Sequence, residues 1–129
     1  MGDLIHLHTV RHTTRAFTQD EAEAILPAVK RITERASSEA RDVEAQLRFV
    51  PTDEPLSARL KAQHDLIIKR WAMKVGRLGC EPRGVWLVDF NANEGSYVWR
   101  LGDNSLSYFH SSDVGRPLSD PAFPEFPSS

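Results

Sequence analysis

The sequence predicts an α+β domain: a long antiparallel helical hairpin packed on a small three-stranded antiparallel β-meander. Three observations predict it. Apolar residues recur at steps of three and four from Ala22 to Val50, which is the period of one helix face. A second stretch of the same kind follows Pro51 and Pro55, so a short turn joins two helices that must run antiparallel. From Gly84 to His110 the pattern changes to short aromatic and β-branched runs divided by Asn, Asp and Gly. Six of the eleven aromatic residues fall in that last stretch, so it anchors the core.

The chain of 129 residues has the size of one domain, large enough to bury roughly two-thirds of its unfolded surface. Its net charge of −2 and 26% charged residues are ordinary for a globular protein and argue against a dedicated nucleic-acid coat. A single cysteine, Cys80, excludes an internal disulfide and a cysteine-only zinc cage. No apolar run reaches the ~18–20 residues that span a bilayer, and the first residues lack the charged start and apolar centre of a secretion signal. The expectation is a cytoplasmic protein with no membrane partner.

Residues 1–16 read as an extended arm, with Leu4, Ile5, Leu7 and Val10 partly alternating with polar residues. The first helix is expected at about 19–49. Thr18 and Glu21 form a capping-box pair at its start, with Asp20, Glu21 and Glu23 against the positive end of the helix dipole. Pro27 lies inside it and predicts a bend. The second helix is expected at about 56–78. Lys69, Arg70, Lys74 and Arg77 complement the dipole at its C-terminal end, and Gly79 supplies the stop. Strands are expected at about 84–90, 96–101 and 105–110, joined across Asn91–Gly95 and Asp103-Asn104. The body thus covers 17–118, and residues 119–129 form a proline-rich tail, extended or disordered.

These loop lengths imply a register in which Asp89 faces Tyr97 and Leu87 faces Trp99, while Tyr97 faces His110. One sheet face then ends in the row Asp89–Tyr97–His110. The other carries Trp86, Val88, Phe90, Val98 and Phe109. Both faces are apolar, so both need cover, and a one-residue slip would break up the row.

Signature motifs of common enzyme classes are absent: no Gly-x-Ser-x-Gly, no phosphate-binding glycine loop, no Gly-x-Gly-x-x-Gly and no His-Glu-x-x-His. His6 and His8, with His12, could bind a transition metal from alternate strand positions; the plainer reading is histidines of an arm without a role. His64 sits on the seam of helix two and reads as a hydrogen-bonded or half-exposed core residue. The basic stretch Lys69–Arg83 is accounted for by dipole complementarity and a solvated face.

The better candidates for a ligand site are Asp89, Tyr97, Trp99, His110, Asp113 and Arg116. A carboxylate, an imidazole and a guanidinium beside aromatic walls could bind a small anion or perform acid–base chemistry. The structural alternative is a network in which Arg116 pairs with Asp89 or Asp113 and ties the tail to the sheet. No arrangement here defines a reaction or a cofactor.

The segments Phe17-Thr18 with Glu21-Ala22 and Ile25-Leu26-Pro27, Gly84-Val85-Trp86-Leu87-Val88-Asp89-Phe90, Trp99-Arg100-Leu101-Gly102, His110 and Gly115-Arg116-Pro117 resemble an uncharacterised bacterial family catalogued as domain of unknown function 2203. The resemblance implies a cytoplasmic bacterial protein with a helical hairpin and a small sheet, and supplies no activity. The chain departs from the family pattern at Asn91 and Asp103, where the family carries proline and glutamate, and in a shorter stretch between the histidine and the arginine.

Two functional classes follow. One is a non-enzymatic binding domain that forms a homodimer through the hairpin, where the distal seam of Val43, Leu47, Leu56 and Leu60 extends past the reach of the sheet. The alternative is a small enzyme or a ligand or metal sensor built on the strand-edge cluster. Specific nucleic-acid binding is not expected of either.

Overall fold

The structure, a computed structural model, describes residues 15–110. Within them the order is α1 (Gln19–Leu47), α2 (Pro55–Arg77), β1 (Glu81–Gly84), β2 (Leu87–Ala92), β3 (Gly95–Arg100) and β4 (Ser107–His110). The histidine arm, Asp113, Arg116 and the tail lie outside the described residues.

Helix α1 opens on the expected capping box. The Glu21 backbone N–H donates to Thr18 Oγ1 at 3.1 Å, and the Thr18 N–H donates to Glu21 Oε1 at 3.0 Å, satisfying two of the four free donors of the first turn. The bond from the Thr18 backbone, with Arg15 alongside, holds the Glu21 carboxyl below the usual carboxylate range. The helix runs without interruption through Pro27.

Helix α2 starts at Pro55 with no side-chain cap; the proline ring presets φ, and its missing N–H is one no helix start would use. Its end is a Schellman motif. Gly79 takes φ +92°, the Gly79 N–H reaches the Gly76 carbonyl and the Cys80 N–H reaches the Val75 carbonyl, a left-handed turn suited to glycine.

Small side chains at Ala36, Ser37, Ala40 and Ser57, all buried, let the two helices approach closely. Val43 and Leu60 are therefore only 2% and 4% exposed. This corrects the expectation of an uncovered distal seam: the hairpin closes most of it internally, leaving Leu47 half-buried and Leu56 exposed. Nearer the sheet, Trp71 is buried and donates Nε1–H to Thr33 Oγ1 at 2.8 Å, which satisfies both polar groups in the interior.

The sheet has four strands, in the order β1-β2-β3-β4, all neighbours antiparallel. The run from Gly84 to Phe90, expected as one strand, folds back at Val85-Trp86, and Trp86 adopts φ +66°. A bulky residue in that region is strained. Its ring packs edge-on to Trp71 at 5.0 Å, a contact worth about 0.5–1.5 kcal/mol beyond area burial, so tertiary packing holds a turn that local propensity does not announce.

Both expected registers are corrected. The β2–β3 loop is the two residues Asn93-Glu94, so Phe90 faces Tyr97 and Asp89 faces Val98. The β3–β4 connection is longer than two residues, so Tyr97 faces Tyr108 and His110 faces Gly95. A turn there is held by Arg100 N–H to Asp103 Oδ2 at 3.1 Å, and Trp99 Nε1–H reaches the Asp103 carbonyl at 2.9 Å. A shift of two residues keeps a side chain on its face, whereas a shift of one moves it to the other.

Val88, Phe90 and Trp99, with Tyr97 partly buried beside them, pack against Phe17, Leu26, Val29, Trp71 and Val75 as the helix–sheet core. Leu87, Asp89, Ser96 and Val98 point from the opposite face.

Candidate functional site

The first consequence of the register concerns the expected polar row. Asp89 and His110 lie on opposite faces of the sheet, because Asp89 pairs with Val98 while His110 pairs with Gly95, two positions along β3 from Tyr97. The row Asp89–Tyr97–His110 is not assembled. Tyr97 is half-buried on the helix side, its ring 4.9 Å from that of Tyr108. Trp99 is 1% exposed and belongs to the core. His110 is exposed at the end of β4.

Asp89 instead has a different partner, Arg83, whose Nε–H donates to Asp89 Oδ2 at 3.0 Å. The register of β1 against β2 slips between Pro82 and Gly84, so Arg83 is the extra residue of a β-bulge, which re-aims its side chain over the neighbouring strand. Glu81 stands directly across from Asp89. Asp89 is 2% exposed, and among the described residues its Oδ1 has no hydrogen-bond partner. Burial pushes its carboxyl above the usual range, opposed by the Arg83 guanidinium and the Ser96 hydroxyl, with Glu81 adding to the rise.

The second feature lies between the helices. A groove of about 580 Å³ is lined by Arg31, Ile32, Arg35, Ala36, Glu39, Ile67, Arg70, Trp71 and Lys74. It continues into one of about 370 Å³ lined by Glu39, Asp42, Val43, Gln46, Gln63, Leu66, Ile67 and Arg70. The floor is apolar and the rims are charged in two blocks. Arg31, Arg35, Arg70 and Lys74 surround the end nearer the sheet, while Glu39 and Asp42 stand toward the hairpin tip. The pair Arg35–Glu39 at 3.9 Å is mostly exposed and contributes little. Leu66, on the lining of the second groove, is 44% exposed; elsewhere on α2 Met73 is 51% exposed, and Phe49 past the end of α1 is 85% exposed.

Sequence reading missed this groove because it assigned Arg70 and Lys74 to dipole complementarity and a solvated face. The signal was present in like charges four residues apart, Arg31 with Arg35 and Arg70 with Lys74, which share a helix face. His64 hydrogen-bonds Glu44 across the hairpin at 2.8 Å. Among the described residues no group of three or more His, Cys, Asp or Glu side chains converges for a metal, and no helix is long and apolar enough to cross a membrane.

These features define a helical-hairpin-and-meander domain with a charged inter-helix groove. Residues 15–117 match the model of the family described as an uncharacterized conserved protein, DUF2203, and the chain belongs to that family. No curated protein and no solved structure matches it.

Proposed function

We propose that this is a non-enzymatic, cytoplasmic binding domain that self-associates, two hairpins pairing antiparallel along the inter-helix groove. The observation that carries this reading is the charge segregation of the groove. A two-fold axis near Ala36 and Ile67 would lay the Arg31/Arg35/Arg70/Lys74 block of one copy on the Glu39/Asp42 block of the other, twice over. An isologous contact needs that self-complementarity. Leu66 would lose its exposure there, and from Arg31 to Gln46 the helix offers roughly 22 Å of length at ~1.5 Å per residue. The same neutralisation within a pair leaves no basic surface dedicated to nucleic acid.

Light scattering over a concentration series tests the pairing. The wild-type chain should be dimeric at tens of micromolar and should dissociate more readily as salt screens the charges. Arg31→Glu/Arg35→Glu and Glu39→Arg/Asp42→Arg chains should each be monomeric, and an equimolar mixture should form a heterodimer, since one then carries only acidic and the other only basic rims on α1. A monomeric wild-type chain refutes the reading.

A further inference from the structure

The end of the groove nearer the sheet carries a charge imbalance that the chain as a whole does not. The net charge is −2, yet Arg31, Arg35, Arg70 and Lys74 line this end, and Glu39 is the one carboxylate among the described residues that line it. All four cations are exposed. Among the described residues Arg35 has an acidic partner in Glu39, at 3.9 Å, whereas Arg31, Arg70 and Lys74 form no ion pair. Each helix sets two of the four cations four residues apart, about 5–6 Å between Cβ atoms, where like charges repel. The Trp71–Thr33 hydrogen bond fixes the register across the hairpin. Arg31 and Arg35 therefore stand on either side of Thr33 along α1, and Arg70 and Lys74 on either side of Trp71 along α2. Packed helix axes lie about 8–10 Å apart, so both pairs serve one opening.

We propose that this end of the groove binds a di- or triphosphate group between the two helices. Charge chooses the occupant. Four cations less Glu39 leave an excess of three positive charges on the lining, and a single phosphate carries only about −1.5 to −2, so two or three linked phosphates match it. Three of the four cations are arginines, whose planar forks each reach two phosphate oxygens. The volume of about 580 Å³ falls within the ~300–1,000 Å³ of small-molecule sites. Ile32, Ala36 and Ile67 on the floor bring no competing anion. A bound polyphosphate would relieve the repulsion within each helix pair. It would also occupy the surface that the Glu39/Asp42 block of a second copy takes in the paired state, and so oppose pairing. The site is a property of one chain; only this competition rests on the pairing proposed above.

The test is a calorimetric titration of inorganic tripolyphosphate into the full chain at physiological salt, at a concentration where light scattering shows monomer. One site per chain is expected. Arg70→Gln/Lys74→Gln should weaken binding about tenfold or more, the scale of losing hydrogen bonds to a charged group. Arg59→Gln/Lys61→Gln removes the same charge from exposed positions of α2 outside the groove and should leave binding unchanged. No binding at millimolar tripolyphosphate, or equal weakening by both double variants, would overturn the proposal; the second result assigns the effect to net charge. Adenosine triphosphate binding more tightly than tripolyphosphate assigns the apolar floor to the organic part of a phosphate ester, and equal binding assigns the free anion; both uphold the site. At tens of micromolar chain, tripolyphosphate should shift dimer to monomer further than sodium chloride of equal ionic strength. A dimer that binds tripolyphosphate and stays intact, or a wild-type monomer that binds it, refutes pairing along this groove and leaves the site standing.

Discussion

Replacing Arg83 by methionine isolates the electrostatics of the buried carboxylate. The stem is retained and the guanidinium removed, so Asp89, whose side chain is 3% exposed, loses the partner on Oδ2. Breaking a buried pair from one side costs about 3–5 kcal/mol. The Arg83 side chain is 34% exposed, so water already screens part of that attraction and about 2–3 kcal/mol is expected. The pH dependence distinguishes this from lost packing. Burial places the folded-state pKa of Asp89 above its ordinary value, so the folded chain holds a proton that the unfolded chain has released. Stability from this group falls as pH rises from the ordinary aspartate range to the folded-state pKa, and is level above it. Removing Arg83 raises that pKa further and widens the window upward. Urea midpoints of wild type and Arg83→Met from pH 4.5 to 8 should therefore diverge with increasing pH, at constant denaturant slope. A deficit of the same size at every pH would refute the electrostatic account.

The buried Trp71–Thr33 hydrogen bond predicts a coupled pair. Trp71→Phe should cost about 2–3 kcal/mol through a void and an unpartnered hydroxyl, Thr33→Val about 1–3 kcal/mol, and a double-mutant cycle in urea should show about 1–2 kcal/mol of non-additivity. Cys80 is buried, and that burial pushes its thiol up to about 12, with Arg15 lowering and Asp89 raising it. Alkylating reagents at pH 8 should accordingly label it at the rate of unfolding and not at the rate of a free thiol.

The hairpin was legible in the sequence because its determinants are local. Thr18 and Glu21 lie three residues apart and close their own capping box, Pro55 and Gly79 mark the start and stop of α2, and apolar spacing identifies a helix face without reference to any distant residue. What covers a sheet face, and which strand residue faces which, are non-local. The turn at Val85-Trp86 carries no turn signature; it exists because the Trp86 ring finds Trp71 on another element. A two-residue loop where five were expected moved Asp89 by one position, and with a side-chain period of two that sends it to the face opposite His110. The candidate site therefore dissolved as a row, and Asp89 acquired Arg83, a residue whose aim is set by a bulge that only the pairing of β1 with β2 creates. Local sequence decided which segments are helices; the contacts between them decided which charges meet.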